Sequence, residues 1–198
     1  AGAPVVVIHA GMIELGDPRS PELLNLYKEG KVNAPEFAAA RAKLLEERER
    51  VKGPHLEALI KSLNVVMRYA QTKNVKIGLE TRYYPTEIPD YKEIGELLNR
   101  YRGQGMGYWH DVGHAEVNCR LGLVKAHRDY FDRYGSRLLG MHIHGVQGLQ
   151  DHLAPFKGDF DLKAVVPYLK DGLISVIESH SRASAEEIQE AVRRLRER

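Results

Sequence analysis

The sequence of 198 residues predicts a single α/β domain built from parallel strand–helix units. Short apolar runs alternate with stretches in which apolar residues recur at helical spacing, and each run has a polar residue at or next to its end. Parallel strands need a crossover connection, usually a helix, so this alternation favours a parallel sheet covered by helices. Because no linker rich in Pro, Gly or Ser divides the sequence, we expect residues 1–198 to form one domain.

Five runs are the predicted strands, since each is rich in β-branched or apolar residues. They cover residues 4–10, 75–80, 105–111, 137–143 and 173–178. The spacing of apolar residues predicts amphipathic helices around residues 56–67, 94–101 and 188–195. Strand and helix therefore alternate along most of the sequence.

Residues 17–54 interrupt this alternation. Turn-forming residues at their start predict a loop, namely Asp17, Pro18 and Pro21. Residues 34–50 predict a charged helix that ends near Gly53 and Pro54, because both residue types disfavour a helix interior. The dense charges of this helix are typical of a solvated face. We expect the segment to form a loop and helix at the rim of the sheet.

Composition and charge exclude several classes of protein. A hydrophobic content of 43% and a charged content of 28% are typical of a folded domain, not of a disordered or collagen-like chain. The formal net charge of +2 indicates neither a nucleic-acid nor a membrane partner. A single cysteine, Cys119, fits a reducing compartment, and no apolar run is long enough for a membrane span or signal peptide. We therefore expect a cytoplasmic location.

The residue that ends each predicted strand is of a type that binds metal ions: His9, Glu80, Asp111, His142 and Glu178. In a barrel of parallel strands the carboxyl ends meet at one mouth, where catalytic groups lie. Residues two apart on a strand share a face, and small or apolar residues precede each polar end on that face. Successive ends from Glu80 onward are separated by about one strand–helix unit of roughly 30 residues. We therefore expect these side chains to face a common point.

Taken singly, each of these residues also has an ordinary structural interpretation. His9 fits a hydrogen-bonded core histidine, and Glu80 fits an ion pair with Arg82 at the rim. Asp111 fits the N-cap of a following helix, and Glu178 fits a similar capping position. Agreement among four successive strand ends favours a functional site.

The types of the candidate ligands restrict the metal only loosely. Carboxylates and histidine without a cysteine cluster suit a divalent ion such as Mg²⁺, Mn²⁺ or Zn²⁺. His144 follows His142 by two residues, so it points the same way and is expected to contact substrate or support a ligand. Asp151 and His152 lie in a Gly-containing polar loop, residues 148–161, which fits either a loop that closes over substrate or an exposed turn.

Five motifs resemble one known family. They are VVVIHAG (5–11), GLET (78–81), DVGHA (111–115), GMHIHGVQGLQDHLAPFKGDFD (140–161) and VIESHSRASAEEIQEAVRRL (176–195). They are similar to the His strand, the metal-bridging Glu strand, the Asp-x-x-His motif, the second His strand with its loop, and the last Glu strand of xylose isomerase-like TIM barrels. That superfamily includes sugar isomerases, sugar epimerases and endonuclease IV. The resemblance covers residues 4–196.

The resemblance implies an α/β fold of TIM-barrel-type parallel βα units, present here as an incomplete barrel of about five strands. A complete barrel has eight units in about 250 residues, and the His9 strand is similar to the family's fourth. We therefore expect the first three units to be absent from this chain. Open sheet edges invite pairing, so we expect a homo-oligomer or a partner segment to complete the barrel.

The resemblance also implies roles for individual residues. One divalent metal ion is expected to be bound by Glu80, Asp111, His142 and Glu178. Glu80 and Glu178 are expected to serve in addition as the catalytic acid and base. Substrate contacts are expected from His9, Trp109, His114, His144 and His152. His114 and His152 could alternatively hold a further metal ion.

The function expected from this resemblance is that of a metal-dependent isomerase or epimerase acting on a small sugar or sugar-derived substrate. One alternative is an endonuclease IV-like phosphodiester hydrolase, although Gln150 stands where that enzyme has a further Asp. Another is a barrel that binds a ligand without turnover. Metal content separates the first two, because two or three zinc ions favour hydrolysis and one exchangeable ion favours isomerisation.

Overall fold

The structure, a computed structural model, describes residues 2–15, 22–180 and 183–197. Its strands are β1 (Val5–Ile8), β2 (Gly11–Met12), β3 (Lys76–Glu80), β4 (Glu87–Ile88), β5 (Met106–Asp111), β6 (Leu138–Ile143), β7 (Gly145–Gln147), β8 (Gln150–Leu153) and β9 (Ile174–Ile177). Its α-helices are α1 (Glu22–Lys28), α2 (Pro35–Thr72), α3 (Tyr91–Arg100), α4 (Val112–Arg120), α5 (Arg128–Tyr134) and α6 (Ala185–Arg196). The loop predicted at Asp17, Pro18 and Pro21 lies outside the described residues.

Five strands form one sheet, in which every neighbouring pair is parallel and the order is β1-β3-β5-β6-β9. The sheet curls into a half-barrel with helices on its outer face. On that face Ile77 and Leu79 of β3 are buried in one core with Leu63 of α2 and Ile94 of α3. All five predicted strands are confirmed to within two residues at each end, as is the α/β fold of an incomplete barrel.

Two short antiparallel pairs, β2 with β4 and β7 with β8, were not predicted. They contain only two to four residues each, too few for an alternation of polar and apolar residues to be visible. Both follow strands of the main sheet at their carboxyl ends, so they form part of the mouth of the half-barrel.

Helix α2 does not end near Gly53 and Pro54 as predicted, but continues to Thr72. Proline removes the hydrogen bond to the carbonyl four residues earlier, here that of Arg50. Gly53, Pro54 and Arg50 are all exposed, so water can satisfy that carbonyl. The buried residues before and after the proline lie on the same face of the helix, because Leu59 follows Arg48, the last buried residue before Pro54, by about three helical turns. The continuous buried face of α2 therefore outweighs the tendency of Gly53 and Pro54 to end the helix.

No helix in the described part of the chain is long and apolar enough to cross a membrane.

The charged part of α2 also departs from the predicted solvated face, because Arg48 is only 2% exposed. Its guanidinium donates to both carboxylate oxygens of Glu93, at 2.6 and 2.7 Å, and to Asp90 at 2.9 Å. It also donates to the carbonyls of Pro85 and Glu87. Arg48 thus joins α2 to the start of α3 and to the loop after β3.

Arg48→Ala is expected to destabilise the protein by ~3–5 kcal/mol, because the buried Glu93 would lose the guanidinium that donates to both of its carboxylate oxygens. Lys52 Nζ would be left near it at 3.7 Å. The free energy of unfolding measured by urea denaturation tests this. Arg128→Ala is the control, since Arg128 forms an exposed ion pair with Asp132 on α5, and no measurable change is expected. Equal stability of the two variants would contradict a structural role for the buried pair.

Candidate metal centre and active site

Four of the five residues at the predicted strand ends converge at the carboxyl ends of their strands. Glu80, Asp111, His142 and Glu178 each offer one ligand atom, and these atoms all lie within 4.8 Å of one another. The Nδ1 atom of His142 is the centre of the group. It lies 2.6 Å from Glu80 Oε1, 2.8 Å from Glu178 Oε2 and 3.6 Å from Asp111 Oδ2.

The register of the sheet explains this convergence. Glu80 lies beside Trp109 in the β3–β5 pair, and Asp111, two residues further on, lies directly beside His142 of β6. Glu178 immediately follows β9. Because alternate residues of a strand share a face, these four side chains point to the same side of the sheet.

The electrostatics of the group favour a cation. Glu80 and Asp111 are at most 1% exposed, and Glu178 adds a third carboxylate. Burial lowers the pKa of His142, but the carboxylates of Asp111, Glu178 and Glu80 beside its ring outweigh burial and raise the pKa to about 11. The neighbouring imidazoles of His142 and His152 lower the pKa of Glu178. Three carboxylates and one imidazole form a donor set that fits a divalent ion of the Mg²⁺, Mn²⁺ or Zn²⁺ type.

Asp111 contacts His114 and His144 in addition to the residues of this group. Its Oδ1 accepts the backbone N–H of His114 at 2.7 Å and thereby caps α4, and the same oxygen lies 3.1 Å from Nε2 of His144. Burial disfavours its charged form, but His114 and His144 hold the pKa of Asp111 well below its usual range. The capping interpretation of Asp111 is thus correct, and it leaves Oδ2 facing His142.

A second group of possible ligands adjoins the first and shares Asp111 with it. Asp111, His114 and His152 offer ligand atoms within 4.8 Å of one another. His114 Nδ1 donates to the carbonyl of Thr81 at 2.8 Å, so its Nε2 faces Asp151 at 3.5 Å. Burial lowers the pKa of His114, but Asp111 and Asp151 outweigh it and raise the pKa to about 8.

The remaining predicted contacts occupy three different environments. His9 is well exposed, and its Nε2 lies 2.6 Å from Glu80 Oε2. Trp109 is buried, and its ring lies so close to Gly140 that a Cβ there would be 2.3 Å from Cζ3. His144 is fully buried, with Nε2 beside Asp111 and Nδ1 accepting the backbone N–H of His152 at 2.9 Å. These contacts fit the second of the two expected roles, support of a ligand, here Asp111, and substrate contact by His144 stays a prediction.

The segment predicted as a closing loop begins as the β7–β8 hairpin. Tyr83 donates its hydroxyl to the carbonyl of Leu149 at 2.6 Å, and Arg120 donates to the carbonyl of Gly148 at 2.9 Å. The side chain of His152 is mostly buried and faces the site, so the exposed-turn interpretation is wrong for this residue.

Two residues near the site were not predicted to belong to it. Arg82 donates to Glu80 Oε2 at 3.3 Å, as its ion-pair interpretation anticipated. His180 stacks on His152 with ring centroids 4.1 Å apart. Its position two residues after Glu178 was a usable signal, because residues two apart in an extended segment share a face.

A family profile described as the xylose isomerase-like TIM barrel matches residues 2–198. The chain belongs to this family. Comparison with curated protein sequences gives no match.

Solved structures of three other proteins have the same fold at low identity. They include a D-tagatose 3-epimerase-like protein (19% identity, TM-score 0.55), a putative xylose isomerase from Rhodospirillum rubrum (15%, 0.57) and the 3-keto-D-glucoside 4-epimerase of E. coli (13%, 0.58). The matches cover 98%, 98% and 73% of this chain and 61%, 60% and 54% of those proteins. This chain therefore spans about three fifths of their length or less.

In this xylose isomerase-like chain, metal binding is expected to compete with protons. The raised pKa of His142 means that its imidazole is protonated at neutral pH, so an incoming ion must displace one proton. The lowered pKa values of Asp111 and Glu178 leave both carboxylates ionised there. Apparent affinity for Mn²⁺ should therefore rise about tenfold per pH unit between about pH 6.5 and 7.5.

Isothermal titration in buffers of different ionisation enthalpy measures both the affinity and the protons released. Release of about one proton per ion is expected. Affinity that does not change over this interval would contradict the assigned protonation of His142.

Proposed function

We propose that the chain is a metal-dependent isomerase or epimerase of a sugar or sugar-derived substrate. Convergence of four donor atoms from four successive strands of the parallel sheet carries the proposal. Glu80, Asp111, His142 and Glu178 would hold one divalent ion. When bound, such an ion polarises a carbonyl group and so makes a neighbouring C–H proton easier to remove. The epimerase and isomerase names of the structural neighbours support the same reaction class.

The protein side of this chemistry is proton transfer by two glutamates. Glu80 is the last residue of β3, and Glu178 follows β9, so they approach His142 from different strands. One carboxylate removes a proton from carbon and the other returns one, as general acid–base catalysis requires. His9 and Arg82 both contact Glu80 Oε2 and fix the orientation of that carboxylate.

Substrate hydroxyl groups are the expected partners of the histidines at the mouth. His114 is held through its Nδ1 by the Thr81 carbonyl, which leaves Nε2 for a hydroxyl or for Asp151. His9 is exposed at the same mouth. Trp109 would provide an apolar surface beneath the sugar ring, next to His142.

A proton-exchange assay tests the proposal. Protein loaded with Mn²⁺ is incubated in D₂O with ketoses and keto-glycosides, and NMR follows deuterium incorporation at the carbon beside the carbonyl. Exchange that depends on the metal and on Glu80 supports the proposal. Metal binding without exchange on any of these sugars would favour the ligand-binding alternative.

The hydrolytic alternative has one specific observation in its favour, the second donor group of Asp111, His114 and His152. Two ions sharing Asp111 would be able to activate water for attack on a phosphodiester. Zinc counting by plasma mass spectrometry separates the two functions. Two or more tightly bound zinc ions together with phosphodiester cleavage would replace the isomerase proposal.

The edge strands support the proposal that the half-barrel is completed by other strands. Val6 of β1 is 46% exposed and Val176 of β9 is 40% exposed, although both belong to the sheet. An exposed apolar edge favours pairing with a second copy or with another segment. Sedimentation velocity shows whether this chain associates with itself.

A further inference from the structure

A chain of hydrogen bonds runs behind the candidate metal centre, on the helix side of the sheet. Thr81 Oγ1 lies 2.7 Å from the Tyr108 hydroxyl, which lies 2.8 Å from His110 Nδ1. His110 Nε2 lies 3.0 Å from His127 Nε2, and His127 Nδ1 lies 3.2 Å from Glu116 Oε2. Five side chains thus form one continuous path from the end of β3 to α4.

Each part of this path adjoins a residue of the site. Thr81 follows Glu80 directly, and its carbonyl accepts the Nδ1 proton of His114. Tyr108 lies on β5, the strand that ends at Asp111. Glu116 lies on α4, the same helix as His114. The path therefore links the three elements that carry Glu80, Asp111 and His114.

The path is costly to break because its inner part has no access to water. Thr81, Tyr108 and His110 are almost fully buried. A buried donor or acceptor that loses its partner keeps its full desolvation cost. Such networks hold their members in one arrangement when every member is satisfied.

Only two arrangements of protons satisfy the whole path, and Tyr108 is central to both. With neutral His127, protons point from Thr81 towards Glu116, and Tyr108 accepts from Thr81 and donates to His110. With charged His127, the order between Thr81 and His127 is reversed. In each case the Tyr108 hydroxyl donates one hydrogen bond and accepts one, so a phenylalanine there interrupts the path.

We propose that Thr81, Tyr108 and His127 are positioning residues that set the spacing of Glu80, Asp111 and His114 for metal binding. The inference rests on the proposed metal centre. The path contains no ligand of the metal group, so its effect is transmitted through the positions of β3, β5 and α4. Partners beyond the ligands themselves typically change metal affinity 10–100-fold.

The first test compares two buried tyrosines. Tyr108→Phe should weaken Mn²⁺ binding in isothermal titration by about tenfold. Tyr101→Phe is the matched control, because Tyr101 is equally buried and its hydroxyl donates to Asn64 at 2.9 Å, away from the path. Both variants should lose stability, but only Tyr108→Phe should lose metal affinity. Equal affinity in the two variants would overturn the inference.

A second pair of variants separates loss of the hydrogen bond from poor folding as the cause of weaker Mn²⁺ binding. Thr81→Val keeps the shape of the side chain and the carbonyl that holds His114, but it lacks the hydroxyl. Thr81→Ser keeps the hydroxyl. Weakened Mn²⁺ binding in the valine variant and restored binding in the serine variant are expected. Wild-type affinity in Thr81→Val would overturn the inference.

Failure of the metal centre itself is distinguishable from failure of this inference. If the wild-type protein binds no Mn²⁺, the proposed function fails. The positioning role of the path can then still be tested in the metal-free protein. Long-range ¹H–¹⁵N NMR should then show altered ring shifts of His114 in Tyr108→Phe and unaltered shifts in Tyr101→Phe. Unaltered His114 shifts in both variants would overturn the positioning role.

Discussion

Replacing His142 with alanine is expected to weaken Mn²⁺ binding by well over about 100-fold, more than the loss of a residue that only supports a ligand. His142 supplies the one nitrogen donor of the four-residue group, and its Nδ1 contacts both glutamates. Without it, Glu80, Asp111 and Glu178 would be left as neighbouring carboxylates that repel one another. Isothermal titration with Mn²⁺ measures the loss.

His180→Ala is the control for this variant. His180 lies at the same mouth and stacks on His152, but it is not one of the converging donors. Its removal should change Mn²⁺ affinity less than about threefold, below the range typical of residues that support a ligand. A His142→Ala protein that binds Mn²⁺ as tightly as His180→Ala would show that His142 is not a ligand.

Replacing Glu80 with glutamine is expected to reduce turnover by about 10²–10⁴-fold while metal affinity falls much less. The amide keeps one oxygen that can face the ion, but it cannot accept a proton from carbon. Deuterium incorporation into an accepted ketose measures turnover, and titration on the same sample measures the metal. A large loss in both would make Glu80 chiefly a ligand.

Glu87→Gln is the matched control for Glu80→Gln. Glu87 is also a buried carboxylate and binds the same Arg82, but it lies outside the converging group. Turnover within about threefold of wild type is expected, because no proton transfer is assigned to it. If Glu80→Gln retains full turnover, the ligand group would stand and the acid–base assignment would have to be given up.

The main features of the fold could be predicted because they depend on local patterns. Each strand of the sheet is a short apolar run, and the polar residue at its end is visible without knowledge of the fold. Glu80, Asp111 and His142 also lie on the inward-facing side of their strands. Their convergence therefore follows once the strands are parallel. Together these sequence patterns predict where the candidate metal centre lies.

Features that depend on distant contacts could not be predicted in the same way. Arg48 lies among other charged residues in the sequence. Its burial depends on an ion pair with Glu93 on another helix, which no local pattern indicates. Pro54 is a strong local breaker, and only the continuous buried face of α2 explains why the helix passes through it. The burial of His144 likewise depends on the hairpin after β6, whose short strands have no clear sequence pattern.

The position of a bound ion tests the central claim most directly. A crystal of the protein soaked in MnCl₂ gives an anomalous diffraction map that locates manganese without assumptions about its ligands. One strong peak about 2.0–2.4 Å from donor atoms of Glu80, Asp111, His142 and Glu178 is the expected result. A well-diffracting crystal with no peak among these four side chains, or with a peak only at His114 and His152, would contradict the account.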